Sequence, residues 1–106
     1  MGSCTRADVV LFPFPYTDLS RRKLRPCLVI SQTMRQDIIL CQITSQKIPK
    51  DEYSVILQKN ATSEGSLDID SYIRANMVFT ASINQITKKV CNVLFLFEYK
   101  ILFMYY

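Results

Sequence analysis

Four of the chain's cations, Arg21, Arg22, Lys23 and Arg25, fall within five positions, and the last stands directly before Pro26. Such a run suits a solvated turn, and it equally suits an anionic partner. Arginine adds a chemical possibility. A guanidinium is a poor proton carrier, but its planar fork matches phosphate bidentately and stabilises charge developing on a phosphorane-like transition state. The rest of the catalytic inventory is short. There is no histidine, which removes histidine-dependent proteolysis and the paired-imidazole route to RNA cleavage. Only Gly2 and Gly65 are glycines, so there is no Gly-rich phosphate cradle. RNA cleavage is the phosphate reaction that needs least else, because the ribose 2′-hydroxyl already sits beside the scissile phosphate. One arginine, one hydroxyl side chain and backbone donors suffice for it, without a metal or other cofactor.

Two weaker constellations point elsewhere. Asp68 and Asp70 would share a face on a strand and invite a divalent ion, but their polar neighbours and Gly65 favour an exposed loop. Cysteines 4, 27, 41 and 91 have neither metal-site spacing nor a CxxC pair. Free thiols in a reducing compartment are the expectation.

The elements that must position these groups come from a chain of 106 residues with a net charge of +4. That length fits one domain, residues 1–106, with one modest core. No basic start, apolar run and small-residue cleavage site combine at the N-terminus, where Asp8 and two prolines interrupt the apolar stretch. The apolar end from Val93 to Tyr106 is split by Glu98 and Lys100 and is shorter than the ~20 residues of a membrane-spanning helix. A cytoplasmic protein without membrane association is expected.

Val9 to Phe12 reads as a buried strand ended by Pro13 and Pro15, whose rings remove ladder donors. An excursion from Tyr16 through the basic run follows, then apolar strands at Cys27 to Ile30, Ile38 to Ile43 and Tyr53 to Leu57. Gln58 to Ser71 reads as a long connection, and Ser71 to Thr80 as one or two further strands. Short strands at this spacing argue for an all-β barrel or small sandwich. The last third is ambiguous. Ile83, Ile86 and Val90 recur at helical spacing and Asn92 suits a helix cap, while the aromatic and β-branched tail also permits a strand.

The string Asp8-Val9-Val10-Leu11-Phe12-Pro13-Phe14-Pro15-Tyr16-Thr17-Asp18, followed by Lys23-Leu24-Arg25-Pro26-Cys27-Leu28-Val29-Ile30-Ser31, resembles the opening of the MazF/PemK family of toxin endoribonucleases. Gln42-Ile43-Thr44-Ser45-Gln46 resembles the family's second conserved segment. Ser71 to Asn76 resembles the third more loosely. The likeness covers residue 7 to about residue 90.

The resemblance implies a mainly β fold, a small SH3-like barrel with a C-terminal helix, usually a homodimer. It implies a toxin of a type II toxin–antitoxin system that cuts single-stranded RNA without metal, leaving a 2′,3′-cyclic phosphate and a 5′-hydroxyl. It assigns the chemistry to Arg25 with Thr44 as partner. Arg21, Arg22, Lys23, Thr17, Asp18, Ser45, Gln46, Arg74 and Asn76 are the expected substrate contacts. The implied protein partner is an acidic, partly disordered antitoxin. Departures from the pattern occur at Ala7, where the family commonly has glycine, and at Asn76, Met77 and Phe79, where it commonly has an acid, a glutamine and an arginine. Met77 and Phe79 suit either a core or base stacking. These losses bear on base selectivity more than on backbone cleavage, since specificity is held by groups other than those acting on phosphate.

Two rival readings keep the same barrel. One is a non-catalytic nucleic-acid- or antitoxin-binding module, with the basic run capturing RNA or DNA electrostatically. The other is a growth inhibitor acting by protein contact. The tail carries its own expectation. As a helix, Val93, Leu94, Phe97, Ile101, Leu102 and Tyr105 would pack on the barrel and leave a second apolar face for another copy or the antitoxin.

Overall fold

The described residues form seven strands, most of them built on apolar runs: β1 (Asp8–Pro15), β2 (Arg22–Val29), β3 (Asp37–Thr44), β4 (Ser54–Leu57), β5 (Thr62–Ser63), β6 (Ser71–Ser82) and β7 (Lys88–Val93). The fold is that of a computed structural model, which describes residues 4–15, 22–47, 49, 53–58, 60–63, 65–67 and 69–93. The strands form one antiparallel sheet in the order β4-β6-β3-β2-β1-β7-β5.

Strand alternation gives this sheet two apolar faces. One cluster joins Val9, Leu28, Cys41, Ile43 and Ile73 to Val55 and Leu57 of β4 and to Cys91 and Val93 of β7. β4 and β7 lie near opposite ends of the strand order, so the sheet must curl until they meet around one core. Near-equal extents of 31 × 29 × 28 Å agree with that curl. The opposite face buries Val10, Cys27, Val29, Ile38 and Leu40 under Cys4, Ala81 and Ile86. A mainly β, barrel-like architecture is therefore present, as the apolar runs indicate.

The expected C-terminal helix is contradicted. Among the described residues the one helical piece is a single 3-10 turn, Ile83–Gln85, closed by a capping box between Ser82 and Gln85. Val90 and Asn92 belong to β7, and the Asn92 amide donates to the Asp8 carboxylate at 3.0 Å. Pairing with β1 outweighs the three-and-four spacing of Ile83, Ile86 and Val90, because β-branched Val90 and Val93 suit a ladder. Residues 94–106, which carry the rest of the tail, lie outside the described residues.

Two strand boundaries also differ from the sequence reading. β1 runs on through Pro13 and Pro15. β7 pairs with β1 only from Asp8 to Leu11, so among the described residues one side of β1 beyond Leu11 has no ladder in which a proline's missing N–H would be felt. The basic run, expected as a loop before Pro26, begins β2 instead, with Arg22 to Arg25 paired to Pro15 to Phe12.

Ala7 has φ 78°, a conformation that glycine adopts freely and other residues seldom do. Its amide donates to Val29 and its carbonyl accepts from Val93, both at 2.8 Å. Next to it, Asp8 is buried and joins three segments. Its carboxylate accepts from the Thr5 amide at 2.9 Å and from Asn92, and it pairs with the Lys89 ammonium at 3.2 Å. Burial alone would push the Asp8 carboxyl up, but those partners outweigh it and hold the group below its ordinary value. A carboxyl depressed by folding stabilises the native state above its unfolded value of about 3.9, and that contribution is lost as pH falls through the folded value. Asp8→Asn is expected to cost about 2 kcal/mol at neutral pH, the scale of hydrogen bonds to a charged group. It should also flatten the decline in stability below about pH 4. Urea titrations of parent and variant from pH 3 to 7 test this; parallel pH profiles would refute it.

Candidate functional site

The β2–β3 ladder pairs Val29 with Leu40, Leu28 with Cys41 and Cys27 with Gln42. It stops where Pro26 has no N–H to offer. Carried two residues further, the same register sets Arg25 level with Thr44. Partners opposite each other on antiparallel strands project to the same face. Both residues are half-buried and line one cleft of about 860 Å³.

That cleft opens at the end of the barrel between β2, the end of β3, the start of β7 and the segment before β6. Leu11, Pro26, Ile43, Leu67 and Val90 supply its apolar wall. Its charged lining residues are Lys23, Arg25 and Lys88, and no carboxylate is among the described lining residues. No described residue forms a hydrogen bond or ion pair with the Arg25 guanidinium. The Thr44 hydroxyl oxygen accepts from the Gln46 amide at 3.2 Å. That contact holds the strand-end turn and leaves the hydroxyl proton able to donate.

Other sequence-derived contacts divide. Lys23, Ser45 and Gln46 line the cleft. Arg22 does not; its guanidinium donates to the Pro13 carbonyl at 3.3 Å. Arg74 and Asn76 do not line it either. They occupy a stretch of β6 where the register slips, with residues 74–77 facing Gln42 between the pairs Cys41–Val78 and Ile43–Ile73. Thr17, Asp18 and Arg21 lie outside the described residues.

Lys88, Ser66 and Ser71 line the cleft and are not singled out by sequence. Lys88 arrives because β7 pairs with β1, Leu11 opposite Lys88, while Leu11 also stands opposite Pro26. That long-range pairing brings the start of β7 beside β1 and β2, and a Lys-Lys pair at a strand start carries no local signal of it.

The thiols offer no rival chemistry. All four cysteines are free and buried, and burial pushes Cys27 and Cys41 up to about 12. A thiol that resists ionisation is a poor nucleophile and metal ligand.

Among solved structures, an endoribonuclease in complex with its cognate antitoxin, from Mycobacterial species, superposes with a TM-score of 0.69. The match covers 94% of this chain and 88% of that one at 15% identity, a likeness of fold. No match is found among curated proteins. Residues 5–94 match the family described as PemK-like, MazF-like toxin of type II toxin-antitoxin system. That span holds β1 to β7 and every described residue of the cleft, and the chain belongs to this toxin family.

Proposed function

We propose that this toxin is an endoribonuclease that cuts single-stranded RNA in the cleft between Arg25, Thr44 and Lys88. The observation that carries the reading is an Arg25 guanidinium without a partner among the described residues, level with a strand-end hydroxyl, in a cleft where every charged group among the described lining residues is a cation.

The 2′-oxygen attacks the adjacent phosphorus and gives its proton to solvent. The bond to the 5′-oxygen breaks, and that oxygen takes up a proton. The products are a 2′,3′-cyclic phosphate and a 5′-hydroxyl. Arg25 grips the non-bridging oxygens as their charge grows, and Thr44 donates its hydroxyl proton to one of them. The lysines hold flanking phosphates, and the apolar wall excludes water from part of the site, which strengthens each of these contacts. Purified protein incubated with a defined single-stranded RNA and a chelator is expected to yield new 5′-hydroxyl ends. RNA left intact across varied sequences, with binding retained, would favour a binding module instead.

Family membership makes a cognate antitoxin the natural partner, and an acidic segment lying over Lys23, Arg25 and Lys88 would block RNA by occupying the same charges. The cations also predict a salt dependence. Releasing counterions from single-stranded RNA gives a slope of about −0.7 per neutralised phosphate. Lys23→Gln and Lys88→Gln are each expected to lower the slope by up to that amount, and Arg22→Gln by less, because the Arg22 guanidinium is held by Pro13. Binding measured across a salt series decides it; equal effects of the three would remove the distinction.

A further inference from the structure

The mechanism leaves unused three phenyl rings beside Arg25. Phe12 stands directly opposite Arg25 on the paired strands, and Phe14 directly opposite Lys23. Direct cross-strand partners share a face with Cβ atoms about 5 Å apart, so two aromatic–cation pairs follow one another along this edge. Phe79 reaches the same rings from β6, opposite Leu40 of β3. Ring centroids are 5.2 Å apart for Phe12–Phe14, 5.2 Å for Phe12–Phe79 and 5.5 Å for Phe14–Phe79, all edge to face. All three rings pack against the outer apolar cluster and remain partly exposed.

We infer that Phe12, Phe14 and Phe79 form a stacking platform for one nucleobase of the bound strand, with Phe79 the residue that sets its contribution. This rests on the RNA reading of the cleft. A single strand presents a charged backbone and flat bases, and sites for it combine a cationic track with aromatic faces. Here the two are interleaved residue by residue, so a phosphate held by Arg25 leaves the attached base beside Phe12. Phe79 also stands where the resemblance calls for an arginine, which exchanges a polar base-edge contact for a ring face. Stacking tolerates every base, so the substitution relaxes sequence choice at that position.

The test uses a labelled single-stranded 2′-O-methyl RNA, which lacks the attacking hydroxyl and cannot be cut. A second oligomer has the same phosphates but abasic sugars. Phe79→Leu, which keeps an apolar side chain, is expected to weaken binding of the base-bearing oligomer about tenfold while leaving the abasic oligomer and the salt slope unchanged. Phe79→Trp should bind at least as tightly as the parent. Binding of the base-bearing oligomer within twofold of parent for the Leu variant, or equal losses on both oligomers together with a failed Trp variant, would overturn the platform. Parent protein that prefers the base-bearing oligomer yet cuts no unmodified RNA would leave the platform standing and remove the nuclease reading. Cutting that is indifferent to the Leu substitution would do the reverse.

Discussion

Arg25→Ala is expected to lower the cleavage rate of single-stranded RNA by about 10²–10³-fold or more, the scale of removing one preorganised donor from a charge-developing transition state. The fold should survive. Arg25 is half-buried at the cleft rim and lies outside both core clusters, and its guanidinium bonds to no described residue. A substitution of that kind changes stability by about 0.5 kcal/mol or less. Arg25→Lys should recover little, because a point ammonium cannot bind two phosphate oxygens in one plane. Thr44→Ala should cost less than Arg25→Ala, since it removes a neutral donor and the acceptor of the Gln46 amide while the guanidinium remains. Turnover by the Arg25→Ala variant within a few-fold of the parent, at an unchanged urea midpoint, would sink the assignment. A rate loss that tracked a shifted midpoint would reassign Arg25 to structure.

The Arg25–Thr44 relation is legible in the sequence because both residues sit at the boundary between a basic or polar segment and an apolar run. Pro26 marks one strand and Ile43 the end of the next, and adjacent antiparallel strands do the rest. The cores are legible for the same reason: Val9, Val10, Leu28, Val29, Ile38 and Leu40 are all buried within unbroken apolar runs, and Ile43 closes the third of them after Gln42. What the sequence hides is whatever depends on partners far along the chain. The spacing of β7 fits a helix, and pairing with β1 and β5, together with the Asp8 carboxylate, selects the strand. Arg22 and Lys23 read as loop residues because charge runs favour turns, yet β1 continues far enough to pair them. Arg74 and Asn76 match a motif by position, and the register slip on β6 takes them from the cleft.

Gly65→Ala is expected to cost about 2–5 kcal/mol, more than any other single-methyl change proposed for this chain, because two penalties add. At φ 120° the backbone occupies a region that side-chain-bearing residues rarely adopt, worth about 1–2 kcal/mol. The new methyl would also run into the Val90 carbonyl oxygen and lie 3.2 Å from Cα of Cys91. Both neighbours are backbone of β7, whose Cys91 belongs to the enclosed core, so they cannot swing aside as a side-chain tip would, and overpacking of this kind costs about 1–3 kcal/mol. The position matters for function as well, because Ser66 and Leu67 follow it into the cleft and Val90 lines the same wall. A loop forced off β7 would open the apolar wall opposite Arg25. Urea unfolding should therefore show a lowered midpoint, with cleavage reduced even at temperatures where the variant is folded. Ser66→Ala, one residue on and exposed, serves as the control and should change stability by about 0.5 kcal/mol or less. A Gly65→Ala loss below about 1 kcal/mol would show that the loop can move away from β7 at little cost, and that the close approach to Val90 is not what fixes this side of the cleft.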